Sequence, residues 1–236
     1  VSLSDVIAFR VSLVDTPPPV PADSATTQVN EEPEHQVMNS GLDWDQVLEK
    51  CEAALAGTPD FDPKEVLAKI KPKLDGEEVM GMAFEECRKD LAHQAFKVTD
   101  LPPVDADLWF IGDIHGDLLG MESSLAYIHE HSEAIGKKPW VVFLGDFIDR
   151  GPHSHEVMLR LFDYLCDHTD TTCAILGNHD AGFRYDEEGG RFSSGMKPCE
   201  YPEWLNENLD NELAVQTGKL TAQLFKKIPK AFFLPD

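Results

Sequence analysis

Residues 108–116 read LWFIGDIHG, residues 140–151 read WVVFLGDFIDRG, and residues 172–180 read TCAILGNHD. Each stretch opens with aliphatic, aromatic and β-branched residues and closes on a glycine followed by polar side chains. That pattern predicts short buried strands at Leu108–Ile111, Trp140–Leu144 and Thr172–Leu176. Two segments of helical spacing separate them. Leu118, Met121, Leu125 and Ile128 share one face of 118–128, and Val157, Leu161, Tyr164 and Leu165 share one face of 154–168. Strand–helix–strand–helix–strand is a βαβαβ pattern, so the fold class is α/β with the three strands parallel and inside one sheet. Right-handed crossovers carry all three strand ends to the same edge, where open α/β sheets bind ligands.

The polar clusters at those ends are Gly112-Asp113-Ile114-His115-Gly116, Gly145-Asp146-Phe147-Ile148-Asp149-Arg150-Gly151 and Gly177-Asn178-His179-Asp180. Their leading glycines are 33 and 32 residues apart, the length of one βα unit. A single Gly-Asp or Gly-Asn dipeptide is ordinarily a turn. Three of them, one per strand end, instead deliver carboxylate, imidazole and carboxamide groups to one rim. This donor set suits Mn²⁺, Fe or Zn²⁺ better than thiolate-seeking metals. One carboxylate can bridge two ions about 3.5–4 Å apart, the spacing used for in-line displacement at phosphorus. Arg150 offers a planar fork matched to phosphate oxygens.

GDIHG, GDFIDRG and GNHD together resemble the successive motifs GDxHG, GDxxDRG and GNH[ED] of the metallophosphoesterases, in particular the serine/threonine phosphoprotein phosphatases. The resemblance covers residues 105–236. It implies a metallophosphoesterase-type β-sandwich flanked by helices and built on the βαβαβ core. It also implies roles: Asp113 and His115 bind a first metal, Asp146 bridges two divalent metals (Mn, or Fe or Zn), and Asn178 binds the second. Arg150 holds the substrate phosphate, and His179 is the general acid, oriented and kept charged by Asp149. The nucleophile it implies is a metal-bridging hydroxide, which needs no phosphoenzyme. Asp180 stands where these phosphatases usually carry Glu, the mark of a divergent, bacterial-type member. The family also supplies two further metal-binding histidines and a second phosphate-binding Arg from later segments. No histidine follows His179, so those groups are expected from chain beyond Asp236.

The rest of the chain carries less chemistry. Residues 1–15 hold a candidate N-terminal strand, and 16–36 (TPPPVPADSATTQVNEEPEHQ) read as a Pro- and acid-rich linker. Residues 37–100 are expected to be a small helical appendage, with helices at 43–57, 63–73 and 77–96. The catalytic region is expected over 101–236. Within it, 181–208 is expected to be a long surface loop, 209–228 a helix and 231–234 a strand. His129 and His131 are expected in solvent. His153 and His155, close behind Arg150, are secondary candidates for the substrate cleft. Phe183, Tyr185, Phe192 and Trp204 are expected to form a satellite core, and Asp186–Glu188 a solvated run.

The formal charge is −23, from 20 basic and 43 acidic side chains. Such a surface repels nucleic-acid backbone and anionic lipid, so neither is an expected partner. It also means that a phosphate site needs its own local positive charge, which bound metal supplies. Five cysteines without CxxC spacing point to free thiols in a reducing compartment, and no apolar run is long enough to span a membrane. A cytoplasmic location is expected. The expected activity is phosphomonoester hydrolysis on phosphoserine or phosphothreonine in proteins, or on a small phosphoester. Hydrolysis of nucleotides or dinucleoside polyphosphates is the alternative among enzymes. An inactive half-domain that binds metal or a partner is the alternative outside them.

Overall fold

The computed structural model describes residues 8–11, 42–76, 95–97 and 106–233. The three motif-bearing strands are β3 (Ala106–Ile111), β4 (Lys138–Phe143) and β5 (Thr172–Ala174), and each pairs in parallel with the next. An N-terminal strand, β1 (Ala8–Val11), lies antiparallel along the other side of β3, giving the sheet order β1-β3-β4-β5. β5 is therefore an edge strand among the described residues, where the pattern of its sequence had suggested an inner one.

Register is what brings the motifs together. Ile111 lies opposite Phe143, and Phe143 opposite Ala174. All three strands thus end level, and each polar loop starts from the same line across the sheet. The helices that return the chain are α3 (Leu118–Ala134) and α4 (Ser154–Asp167). Asp117 caps α3 by accepting from Gly120 N at 2.8 Å, which fixes where the chain leaves the first loop. The predicted apolar faces of both helices are buried, with Met121, Ile128, Val157 and Leu161 fully removed from solvent. Each such side chain contributes roughly 1.5–3 kcal/mol of transfer free energy.

The N-terminal region contributes α1 (Trp44–Leu55), capped by Asp43, and α2 (Pro63–Asp75), capped by Asp62 with Pro63 in its first turn and left-handed Gly76 after its end. These helices share the core of the sheet domain. α1 packs on α3, and α2 packs on α4 and on a later helix, α7 (Glu212–Lys227). Ile70 and Leu74 of α2 are as buried as any residue of the sheet. Residues 77–94 and the linker 16–36 lie outside the described residues. The third expected helix does not reach residue 96: Ala95–Lys97 form β2, paired in parallel with β8 (Ala231–Phe233).

The largest difference from the sequence reading is over 181–208. In place of a long loop there is a one-turn helix, α5 (Asn178–Gly182), then a hairpin of β6 (Phe183–Asp186) and β7 (Arg191–Ser194), then α6 (Glu200–Glu207). Its aromatic residues alternate along the hairpin, and Phe183, Phe192 and Tyr201 stack into a buried cluster. Asp186–Glu188 occupy the exposed turn between the two strands. His129 and His131 are also not solvated. His129 packs on Tyr164 and His168, and burial together with the His168 charge pushes it down to about 4. His131 stacks on Tyr127. Both lie on the part of α3 that turns inward beyond the predicted end at 128.

Candidate metal and phosphate site

Asp113, His115 and Asp146 bring one ligand atom each within 4.8 Å of one another. His115 Nε2 is 3.7 Å from Asp113 Oδ2 and 3.8 Å from Asp146 Oδ2, both too long for hydrogen bonds. Its Nδ1 is 2.9 Å from the Ile148 carbonyl oxygen. A carbonyl only accepts, so Nδ1 carries the proton and Nε2 presents its lone pair. That Nε2 is buried and has no hydrogen-bond partner. A buried lone pair facing two carboxylates fits a cation: two bonds of about 2.0–2.2 Å to one ion separate their donors by about 3–4 Å. The residues present therefore fit the metal that the donor chemistry implies.

The second and third loops are fastened to this group. Asp146 Oδ1 accepts from His179 N at 2.8 Å. Asn178 lies against Asp146 Oδ2: with its amide nitrogen on that side it donates at 2.9 Å, while its oxygen accepts from His179 N at 3.3 Å. Asp149 and His179 are fully buried, and Asp149 Oδ2 accepts from His179 Nδ1 at 2.9 Å. The other Asp149 oxygen accepts from Tyr201 N at 3.0 Å. Arg150 is exposed at the rim, and its Nη2 is 3.4 Å from His179 Nε2. All seven residues singled out in the sequence thus meet at one edge.

Four residues of these loops, His115, Asp146, Asp149 and Arg150, hold positive φ, a conformation that costs a non-glycine residue about 1 kcal/mol or more. What holds them there is contact between loops. His115 N donates to Asp146 O at 2.7 Å and Gly151 N donates to His115 O at 2.8 Å. Backbone meets backbone so closely that a Cβ on Gly177 would lie 2.1 Å from Asp146 N.

Sequence reading assigned no role to several of the groups that do this work. Asp180 is fully buried and bridges two loops, accepting from Asp146 N at 2.8 Å, Phe147 N at 3.0 Å and Gly177 N at 3.0 Å. Burial, with the Asp146 charge adding to it, pushes its carboxyl up to about 7 against the pull of those three N–H groups. Ser154 Oγ accepts from Asp149 N. Glu200 accepts from Arg150 N at 3.1 Å. Asp180 could have been suspected from its place beside His179. The Tyr201 and Glu200 contacts come from α6, about 50 residues downstream, and leave no local signal.

His155, a secondary candidate, is not at this rim. It lies on α4 with 9% of its surface exposed and packs against Trp204 at 4.9 Å between ring centres. Burial pushes it down to about 4, so its ring is neutral. Together they form one wall of a cleft of about 310 Å³ that opens next to Gly151.

Residues 106–225, half of the chain, match the family described as Calcineurin-like phosphoesterase, and the chain belongs to that family. Its three motifs resemble those of the phosphoprotein phosphatases, and several of the similar proteins are described as such. One similar protein is the serine/threonine-protein phosphatase 4 catalytic subunit of Eremothecium gossypii, 42% identical over 77 residues, which is 33% of this chain and 23% of the relative. The protein of the same description from Saccharomyces cerevisiae is 39% identical over the same length and shares. The zinc-dependent endopolyphosphatase of S. cerevisiae is 29% identical over 84 residues, 36% of this chain and 24% of the relative. The matched stretch thus spans about a quarter of these relatives. No helix among the described residues is long and apolar enough to cross a membrane.

Proposed function

We propose that the protein is a metal-dependent phosphomonoester hydrolase acting on phosphoserine or phosphothreonine in proteins. The observation that carries this reading is the buried, unpartnered Nε2 of His115 facing Asp113 and Asp146, beside an exposed arginine and a buried Asp–His pair. In this reading Asp113, His115 and Asp146 hold one divalent ion, and Asp146 contributes to a second together with Asn178, whose amide would rotate to present its side-chain oxygen, with Mn²⁺ the leading candidate and Fe or Zn²⁺ next. Bound there, the ions supply Lewis acidity at the phosphoryl group and activate water near neutral pH.

The chain's own residues do the rest. Arg150 stands in solvent with its guanidinium toward the site, placed to take two phosphoryl oxygens as charge builds on them. Its Nη2 lies 3.4 Å from His179 Nε2, so the phosphate-binding group and the acid face the same point. Once phosphate takes the guanidinium, Nε2 can take a proton from solvent water and pass it to the leaving oxygen. Asp149 holds the ring by Nδ1 and compensates the charge of the doubly protonated imidazole. A serine or threonine alkoxide leaves poorly without such an acid, and a positioned acid contributes roughly 10²–10⁴-fold.

The endopolyphosphatase relative favours a second reading, hydrolysis of a polyphosphate chain. Four glutamates line the cleft beside Arg150, which disfavours a long polyanion there. The test uses the full-length protein with Mn²⁺. Asp146→Asn should abolish hydrolysis, and His179→Asn should slow alkyl phosphates far more than aryl phosphates. Equal losses on both substrates would remove His179 from the acid role.

A further inference from the structure

Asp149 and Arg150 follow one another at φ 68° and 65°, the left-handed region that residues with a side chain rarely adopt. Such residues stay there only when the surrounding structure holds them. Asp149 is held from several sides. Its N–H donates to Ser154 Oγ at 3.1 Å, and its carboxylate accepts from His179 Nδ1 and Tyr201 N. On the other side, Gly151 N donates to His115 O at 2.8 Å. Between them, the N–H of Arg150 has one partner among the described residues, Glu200 Oε2 at 3.1 Å. Arg150 is exposed, so packing restrains it little.

Glu200 is the first residue of α6. A carboxylate is an adverse group beside a phosphate site, because it repels an anionic substrate. Its contact is with the main chain of Arg150, while the guanidinium lies toward His179 Nε2 at 3.4 Å, so the fork is left for phosphate. A charged acceptor makes a hydrogen bond roughly twice as strong as a neutral one. That strength suits a group that must hold a strained main-chain turn in an exposed place. The next residue of the helix, Tyr201, holds Asp149, so one end of α6 fixes both the partner of the acid and the arginine.

We propose that Glu200 is a positioning residue: by holding the Arg150 N–H it keeps that residue left-handed and its guanidinium aimed at the substrate phosphate. The proposal rests on the hydrolase reading above and deepens it by naming the group that sets phosphate affinity. Without Glu200 the backbone at Arg150 relaxes to negative φ in most molecules, and the arginine turns away. Phosphate then binds the remaining competent fraction, and its apparent Kd rises by the inverse of that fraction. Saturating substrate draws the arginine back, so the loss falls on KM and not on kcat.

The test follows aryl phosphate hydrolysis by the full-length, Mn²⁺-loaded protein, with inorganic phosphate as competitive inhibitor. Glu200→Ala should raise KM and the phosphate Ki about tenfold, the low end for a hydrogen bond to a charged acceptor because the pair is exposed, with kcat within about twofold. Glu200→Gln keeps an acceptor oxygen and should stay within about threefold of the wild type. Glu203→Ala removes the other acid of the same helical turn, whose contacts are with Cys199 and Lys197, and should leave Ki unchanged. In an Arg150→Ala background Glu200→Ala should no longer raise Ki, because no guanidinium remains to be aimed. An unchanged Ki in Glu200→Ala overturns the assignment to Glu200. So does an equal rise in Glu203→Ala, a Gln variant as weak as the Ala variant, or a rise that persists in the Arg150→Ala background. If Arg150→Ala itself leaves Ki unchanged, the phosphate role of Arg150 falls and this proposal with it. Absence of aryl phosphate hydrolysis by the wild type overturns the hydrolase reading.

Discussion

Replacing Gly177 by alanine isolates how tightly the three loops must meet. The backbone at Gly177 is in an extended conformation that any residue adopts, so the substitution carries no φ strain. The penalty is contact. The added Cβ would sit 2.1 Å from Asp146 N and 2.3 Å from Asp146 Oδ1, where ordinary contact begins at 3.4 Å. Neither neighbour is the flexible end of a long side chain, so the second and third loops must part by about 1 Å. Overpacking of this kind costs about 1–3 kcal/mol of stability. A displacement of that size at a reacting centre costs about 10²-fold in rate. The expected result for Gly177→Ala is therefore a folded protein with a modestly lowered urea midpoint, Mn²⁺ affinity reduced about tenfold or more and kcat/KM down about 10²-fold. Gly195→Ala is the control, because a Cβ there meets nothing within 4 Å and should change none of these. A Gly177→Ala protein with wild-type Mn²⁺ affinity and activity would refute the argument that loop contact sets the metal geometry.

Two further predictions concern the frame around the site. Ile70 of α2 is fully buried against the rest of the core, so Ile70→Ala should destabilise the whole domain by about 2–5 kcal/mol in urea unfolding, in one transition; a separate early transition would mean that α1 and α2 unfold independently. His155 is held near 4 by burial, below the 6.5 of a free imidazole, so the unfolded chain takes up a proton first as pH falls. Its contribution to stability is thus complete above pH 6.5 and is lost as pH drops toward 4. Between pH 6.5 and 5 this amounts to about 2 kcal/mol, and His155→Gln should remove that much of the pH dependence measured by urea melts at pH 7.5 and 5. His129 is lowered by burial too, with the His168 charge adding to it, but it is less deeply buried than His155, so its share is smaller.

The parts that were legible in the sequence are those governed by local rules. The strands announced themselves as short apolar runs, and α3 and α4 by residues such as Met121 and Leu161 at helical spacing. The three polar clusters stood out because each follows a strand end at nearly constant spacing. α6 and the β6–β7 hairpin were not legible. Over 181–208 the glycines and acids of the turn at Asp186–Gly190 mask the alternation of Phe183, Tyr185 and Phe192, and the hairpin is specified by aromatic stacking on Tyr201 and α7, which is nonlocal. His129 and His131 were misplaced for a similar reason. The pattern of α3 fades after Ile128, and what buries the last turns is Tyr164, His168 and Trp109 from other elements.

The sequence by itself determined the α/β class and the three polar loops that carry the candidates Asp113, His115, Asp146, Asp149, Arg150, Asn178 and His179 to one edge, because spacing and residue type suffice for that placement. Only the tertiary structure decided how those residues are held. The lone pair on His115 Nε2 depends on the Ile148 carbonyl, the fastening of the loops on the buried carboxylate of Asp180, and the setting of Asp149 on a backbone N–H from α6. Those partners lie about 30 to 50 residues away along the chain, and hydrogen bonds at such separations are fixed by the packing of whole elements, which no local pattern encodes.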